Sequence, residues 1–600
     1  MDAASSPSAP RENQPTRWQA ALFFAKTLVF RLRRALRDPL GIRPPKLAKA
    51  SPAQDTAIIA ESAIALYSTA LPAEFALQAG KVHNLRLVAA MLDGLRIPAG
   101  QVFSFWANVP RPTRSRGFAP GRELREGCVI PSIGGGLCQL SNALYAAALD
   151  AGFEIVERHA HSRRLPGSMA EAGRDATVFW NYVDLRFRAP MDCQLDVKVT
   201  RWTLVVRLRG AAVTAHRTSE KCDTDDSTPD GPAAESCETC EVTSCFRNPA
   251  AVSLPQQAAT AWLVDAWWPE HDRYMASHRR AGDSLLTPLD SRRYRFGPYR
   301  WQTDGFSRVR QSPLFVLKRS LISRRLAAQG PARQRALLAL DAELARIYAV
   351  RIPYTALHLV VSQNLLPFLW KIGVLGGRTF DVLMTRLPLA ELQSQLDRAA
   401  TRWPMARALG DFRADPDLVE AETAALAEAR RWITPHSAIA ALAGTRAEKL
   451  DWHLPPVARR ARGRRVVFPA STLARKGASE LREVARESLL PIALGGPMLE
   501  GADFWQGCNV VPANGDWLRD AASVVLPAWV ENQPRRLLEA LAAGVPVIAT
   551  GACGLDGLDG VVTIPNGDPV ALAAALDELL SSAEAQGRAG RGASLWTAGA

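Results

Sequence analysis

The chain has 600 residues, 48% of them hydrophobic and 22% charged, which excludes a largely disordered, collagen-like or polytopic membrane protein and predicts several folding units. Lys and Arg number 73 against 59 Asp and Glu, a net charge of +14 that suits anionic partners such as nucleotide diphosphates or acidic lipid headgroups. Nine cysteines, four of them close together, fit a metal site in a reducing compartment better than a secreted disulfide framework.

Residues 1–60 read as a polar leader followed by a basic amphipathic helix. Trp18, Leu22, Ala25, Val29, Leu32 and Leu36 fall on one helical face, with Arg31, Arg33, Arg34 and Arg37 beside them. Such a helix packs on the next domain or lies on an anionic membrane surface. The apolar stretch Ala20 to Phe30 is broken by Lys26 and is too short to span a bilayer, so neither a signal peptide nor a membrane span is expected.

Residues 61–210 predict a compact α/β or α+β unit ending in strands at 196–199 and 203–208. Inside it, Gly134, Gly135 and Gly136 precede Cys138 and a helical pattern through Ala148. A cysteine in a first helical turn has its thiolate favoured by the helix dipole, and His161 and Asp175 downstream offer a base and an orienting acid. The competing expectation is a small buried apolar cysteine at a crowded turn. Residues 211–255 form a linker carrying Cys222, Cys237, Cys240 and Cys245, whose thiolates suit zinc or an iron–sulfur cluster, or remain free.

From residue 256 the pattern is helix-rich, with Trp262, Trp267 and Trp268 as interface core or a surface for a sugar or lipid tail, and His436 and His453 as structural groups or as sugar-orienting or acid groups. From Arg464 onward, short apolar runs at 465–468, 490–494, 522–526, 545–549 and 560–564 alternate with helical patterns, as a doubly wound parallel sheet requires. Glu531 and Glu539 lie eight positions apart across a strand-to-helix turn, with Pro534 at the first helical turn. The backbone N–H groups of Asn532, Gln533 and Arg535 are expected at the ligand edge, where a helix start attracts phosphate.

Glu531, Glu539 and the run Ala540 to Ala549 resemble the C-terminal domain of glycosyltransferase family 4, which has the GT-B fold. Leu473 to Leu481 (LARKGASEL), Leu494 to Gly496 and Ile564 to Leu576 are similar to further segments of that family. The resemblance implies that Lys476, with Arg475 and Gly477, meets the donor diphosphate near Gly495 and Gly496. It also implies that Glu539 holds the ribose, that Glu531 faces the transferred sugar, and that glycosyl transfer needs no cofactor. The sequence departs from the family at Ser471, where an arginine is usual. Residues 81–190 resemble the VanW family through GGGLCQLSNALY, ERHAHS and GRDATVFWNY. That resemblance implies little about chemistry.

Together these features predict an α/β multidomain chain: a VanW-like module, then a GT-B pair of Rossmann-like domains, the acceptor-side half at 256–460 and the donor half at 461–600. The expected function is retaining transfer of a sugar from a nucleotide-diphosphate donor to an envelope glycan or lipid-linked acceptor. The catalytic candidates are Glu531, Lys476 and His453 in the transferase and Cys138, His161 and Asp175 in the module. Nucleic acid is not an expected partner, and the expected location is cytoplasmic with peripheral contact at the inner membrane face. The alternative is a non-catalytic scaffold with a degenerate transferase half.

Overall fold

A computed structural model of the chain describes residues 17–37, 44–50, 56–67, 74–125, 128–161, 174–211, 259–289, 299–326, 330–410, 413–458, 463–488, 491–501, 503–513, 515–519 and 521–594. The four linker cysteines, Cys222, Cys237, Cys240 and Cys245, lie outside the described residues. The chain divides into two compact units, one comprising 1–259 with 353–358 and 372–378, the other comprising 260–352, 359–371 and 379–600.

The first unit is α+β. The basic segment Arg17–Arg37, free of Gly and Pro, is one helix. Phe30 stacks on Tyr182 at 5.8 Å and Arg34 grips both Glu157 oxygens at 2.7 and 2.9 Å. Trp18, Leu22 and Leu32 stay exposed, so the helix is anchored at its C-terminal part while much of its apolar face meets water. A four-stranded antiparallel sheet runs in the order Ala57–Ala65, Thr203–Gly210, Cys193–Val199, Arg96–Ile97. Alternating burial along Cys193–Val199 presents Leu195 and Val197 to the helices Phe75–Leu92 and Leu137–Asp150. Leu85, Leu92, Leu140, Phe103 and Phe187 are fully buried there, each worth about 1.5–3 kcal/mol in transfer from water.

The second unit holds two parallel sheets. The C-terminal one has six strands in the order Val510–Pro512, Ile492–Leu494, Arg465–Phe468, Ala521–Leu526, Val547–Thr550, Val561–Ile564, all paired in parallel. The region after 256 is helix-rich, as expected, and its helices surround the other sheet. That region contains a seven-stranded sheet in the order Arg308–Gln311, Ser284–Thr287, Thr260–Leu263, His358–Ser362, Thr379–Leu383, Arg431–Thr434, Ala447–Lys449. Its strands have only three to five residues, too few for a clear alternation, whereas the connecting helix Pro331–Ala349 has 19 and dominates the local pattern. In both sheets the first strand in sequence sits in the interior, with its second and third strands on one side and its fourth on the other. That order creates a crevice beyond the C-terminal ends of the first and fourth strands.

Candidate functional site

In the six-stranded sheet the crevice is an open groove of about 320 Å³, lined by Pro469, Ala470, Ser471, Gly495 to Pro497, Leu526, Glu531 and Gln533 to Leu537. Small residues keep it open: a Cβ on Gly496 would lie 2.6 Å from the Ala470 carbonyl carbon. Beside it, the turn Ala474–Lys476 ends at Gly477, whose φ of +79° and 2.1 Å virtual Cβ approach to the Pro527 carbonyl oxygen leave room for glycine alone. The close approach lets Trp529 and Val530 donate their N–H groups to the Arg475 carbonyl at 3.0 and 3.2 Å. Lys476 Nζ donates to the Val530 carbonyl at 3.2 Å and to Glu531 Oε2 at 2.8 Å. Burial pushes the Glu531 carboxyl up, but Lys476, the Gln533 N–H and Arg475 outweigh it and hold it below the usual carboxylate value.

The helix start differs from expectation. Gln533 N donates to Glu531 Oε1 at 2.9 Å and Arg535 N to the Gln533 carbonyl at 2.7 Å, because the loop folds back before the helix Arg535–Ala542 begins. The cationic lining comes instead from side chains. Arg536, which sequence reasoning missed, bonds the Pro469 and Gly495 carbonyls at 2.7 and 2.5 Å on the groove wall, next to Ser471. Arg535 is held by both Glu270 oxygens at 2.7 Å and lies over the rings of Trp268 and Trp452, 5.1 and 5.6 Å from their centroids. Trp268 is buried, so the paired tryptophans include interior core. Asn532 is half-buried with an unpartnered Oδ1, and Glu539 is half-buried on the helix. His453 is exposed, and its backbone N–H donates to Glu270 Oε1 at 2.9 Å. His436 is buried, with Nε2 at 3.3 Å from the Glu531 carbonyl and 3.2 Å from that of Ala552; burial lowers its pKa, which favours the neutral ring. Glu480, fully buried, accepts from the indole N–H of both Trp403 and Trp529 at 2.7 Å, and burial pushes its carboxyl up toward the protonated form.

The first unit assembles a second cluster. Gly136, with φ of +97°, caps the helix Leu137–Asp150 and places Cys138 in its first turn. Cys138 Sγ lies 3.3 Å from Thr177 Oγ1 and donates to the Val178 carbonyl at 3.8 Å. His161 Nδ1 is 2.8 Å from both Asp175 oxygens, and its backbone N–H donates to the same carboxylate at 2.6 Å. Asp175 is fully buried. Burial opposes charge on all three groups. Nevertheless interactions with His161, Thr177 and the Val178 carbonyl hold Cys138 below its ordinary value, and the pairing with Asp175 and Cys138 raises His161 to about 10 while holding Asp175 low. Cys193 is the contrast: burial and nearby Asp192 push its thiol up to about 12. Among the described residues no cluster of His, Cys, Asp and Glu has the arrangement of a metal site.

The second unit holds two doubly wound sheets, and the first is a small sheet-rich module. The chain carries a VanW like protein domain at residues 80–209 and a glycosyl transferases group 1 domain at residues 504–582. It is 33% identical over 146 residues to the vancomycin B-type resistance protein VanW of Enterococcus faecalis, covering 24% of this chain and 53% of that protein. It is also 33% identical over 120 residues to the Bacillus subtilis protein YoaR, covering 20% of this chain and 39% of that one. The chain therefore spans about half or less of the curated relatives it matches. Among solved structures it is similar to sucrose-phosphate synthase from Thermosynechococcus elongatus (14% identity, 55% of this chain and 91% of that one, TM-score 0.33). Another is the Anabaena protein HepE in complex with UDP-glucose (14%, 54% and 90%, TM-score 0.32).

Proposed function

We propose that the chain is a glycosyltransferase that moves a sugar, with retention of configuration, from a nucleotide-diphosphate donor to a hydroxyl of an envelope glycan or lipid-linked acceptor. The observation that supports this most is the open groove at the six-stranded sheet's crevice, walled by Ser471, Gly495, Gly496 and Arg536 beside the Lys476–Glu531 pair. In this reading the diphosphate lies near Lys476, Arg535 and Arg536, whose charges oppose the negative charge that grows on the leaving group. Glu539 accepts from the ribose hydroxyls and Glu531 faces the sugar. Glu270 is the resting partner of Arg535, which the diphosphate displaces or shares. Peripheral contact of the helix Arg17–Arg37 with an anionic membrane belongs to the same reading. So does a zinc ion or iron–sulfur cluster on the linker cysteines, tested by elemental analysis of a Cys237→Ser, Cys240→Ser variant.

The test is donor hydrolysis and thermal shift across a panel of nucleotide sugars. The true donor at about 100 times its Kd adds roughly 2.7 kcal/mol to stability, and Lys476→Ala lowers turnover about 10²-fold. If no donor raises the melting temperature or is hydrolysed, the transferase half is a scaffold.

The Cys138, His161 and Asp175 cluster supports a second reading, in which the first unit uses Cys138 as a thiolate nucleophile. Iodoacetamide labelling is expected to be faster at Cys138 than at Cys193, with a pH midpoint below the ordinary thiol value that moves upward in His161→Ala. An unmoved midpoint removes this reading and leaves the sugar-transfer reading intact.

A further inference from the structure

The helix Pro313–Arg325, on the seven-stranded half of the second unit, points its leucines the wrong way for a core helix. Leu314, Leu317 and Leu321, spaced by three and four residues, are 83%, 60% and 51% exposed, whereas Phe315 is 4% exposed. The inward face is fixed by polar bonding. Arg319 donates to the buried Asp265 carboxylate at 2.7 Å, and rolling the helix to bury the leucines would strand that carboxylate without its counter-ion. The outward leucines are therefore enforced by the fold.

The same face carries Lys318, Arg324 and Arg325, and the helix contains no Asp or Glu. Leu314, Leu317, Lys318, Leu321, Ile322 and Arg325 together line a shallow surface groove of about 320 Å³. Lys318 also pairs with Glu343 at 2.6 Å, leaving Arg324 and Arg325 at the helix end as the exposed charge. We infer that this face is a docking surface for an anionic lipid bilayer, with the leucines entering the boundary between headgroups and acyl chains and the arginines meeting phosphate. A row of leucines bordered by basic residues matches the depth profile of a bilayer interface, and the chain's +14 charge favours an anionic leaflet. This goes beyond the sugar-transfer reading and uses none of its residues.

The experiment is co-sedimentation of the full chain with vesicles of phosphatidylglycerol and phosphatidylcholine, against vesicles of phosphatidylcholine alone. The wild-type chain is expected to bind the anionic vesicles and to weaken with salt. Leu317→Glu with Leu321→Glu is expected to lower partitioning at least about tenfold. Arg324→Gln and Arg325→Gln are expected to lower it roughly fivefold each. All sites are exposed, so melting temperatures should not move. Leu22→Glu with Leu32→Glu, on the helix Arg17–Arg37, is the comparison. Loss of binding only in that variant, equal binding to both vesicle types, or unchanged binding after the Leu317 and Leu321 substitutions overturns the inference. A lipid-free dimer dissolved by those same substitutions also overturns it and assigns the face to a second copy of the chain.

Discussion

The two parallel sheets of the second unit share a strand order and use the resulting crevice in opposite ways. Beyond the six-stranded sheet, Ser471, Gly495 and Gly496 leave space, and cations line it. Beyond the seven-stranded sheet the corresponding position is filled. Asp265, just after the strand Thr260–Leu263, takes Arg319 at 2.7 Å and the amide of Asn364 at 2.7 Å, while its own backbone N–H donates to Ser362 at 3.1 Å. Asp341 sits 3.5 Å from the same guanidinium. Topology thus sets where a crevice opens, and side chains decide whether it holds a ligand or a buried polar network.

The contrast breaks most directly under arginine removal. Arg319→Met strands a buried carboxylate and is expected to cost about 3–5 kcal/mol in denaturant unfolding, whereas Arg536→Met at the open groove costs within about 0.5 kcal/mol. Equal losses would mean that both crevices are structural. A smaller effect sharpens the ligand side. Glu539→Ala is expected to weaken nucleotide binding by about 1.5–3 kcal/mol in calorimetry, and Asn364→Ala to leave it unchanged. A loss in Asn364→Ala would move the nucleotide to the filled crevice.

The filled crevice also has a pH signature. Burial beside Asp265 raises the Asp341 carboxyl to about 7, so the folded chain keeps a proton that the unfolded chain releases near pH 4. Its contribution to stability is therefore present at low pH and lost as pH rises from about 4 to about 7, at up to roughly 1.4 kcal/mol per unit. Glu531 has the opposite sign: held low in the fold, it stabilises above the unfolded carboxyl pKa and loses this as pH falls. Asp341→Asn should flatten the decline between pH 4 and 7 in urea midpoints, and Glu531→Gln should leave that decline in place.

The same contrast explains what sequence shows. Strands such as Arg465–Phe468 and Ala521–Leu526 are apolar runs between helical segments, with Lys476 in the turn after the first and Glu531 and Glu539 in the loop and helix after the second. Those were legible. Cys138, His161 and Asp175 were legible as residue types within forty positions, although only the fold brings their atoms together. The filled crevice was not legible, because Asp265, Arg319 and Asn364 are separated by 54 and 99 residues and each alone resembles a surface polar group. The Glu270–Arg535 pair, 265 residues apart, leaves no local signal either.

The carboxyl of Glu480 also limits how the second unit can be recombined. Its partners Trp403 and Trp529 belong to the two different sheets' helices and loops, and Arg535 of one half depends on Glu270 of the other. A chimera that grafts a foreign donor-side half onto residues 260–456 inherits a dry indole and an anion with no counterpart. Exchange of specificity between relatives is therefore expected to succeed through the groove residues singly, and to fail when whole halves are traded, unless these contacts travel together.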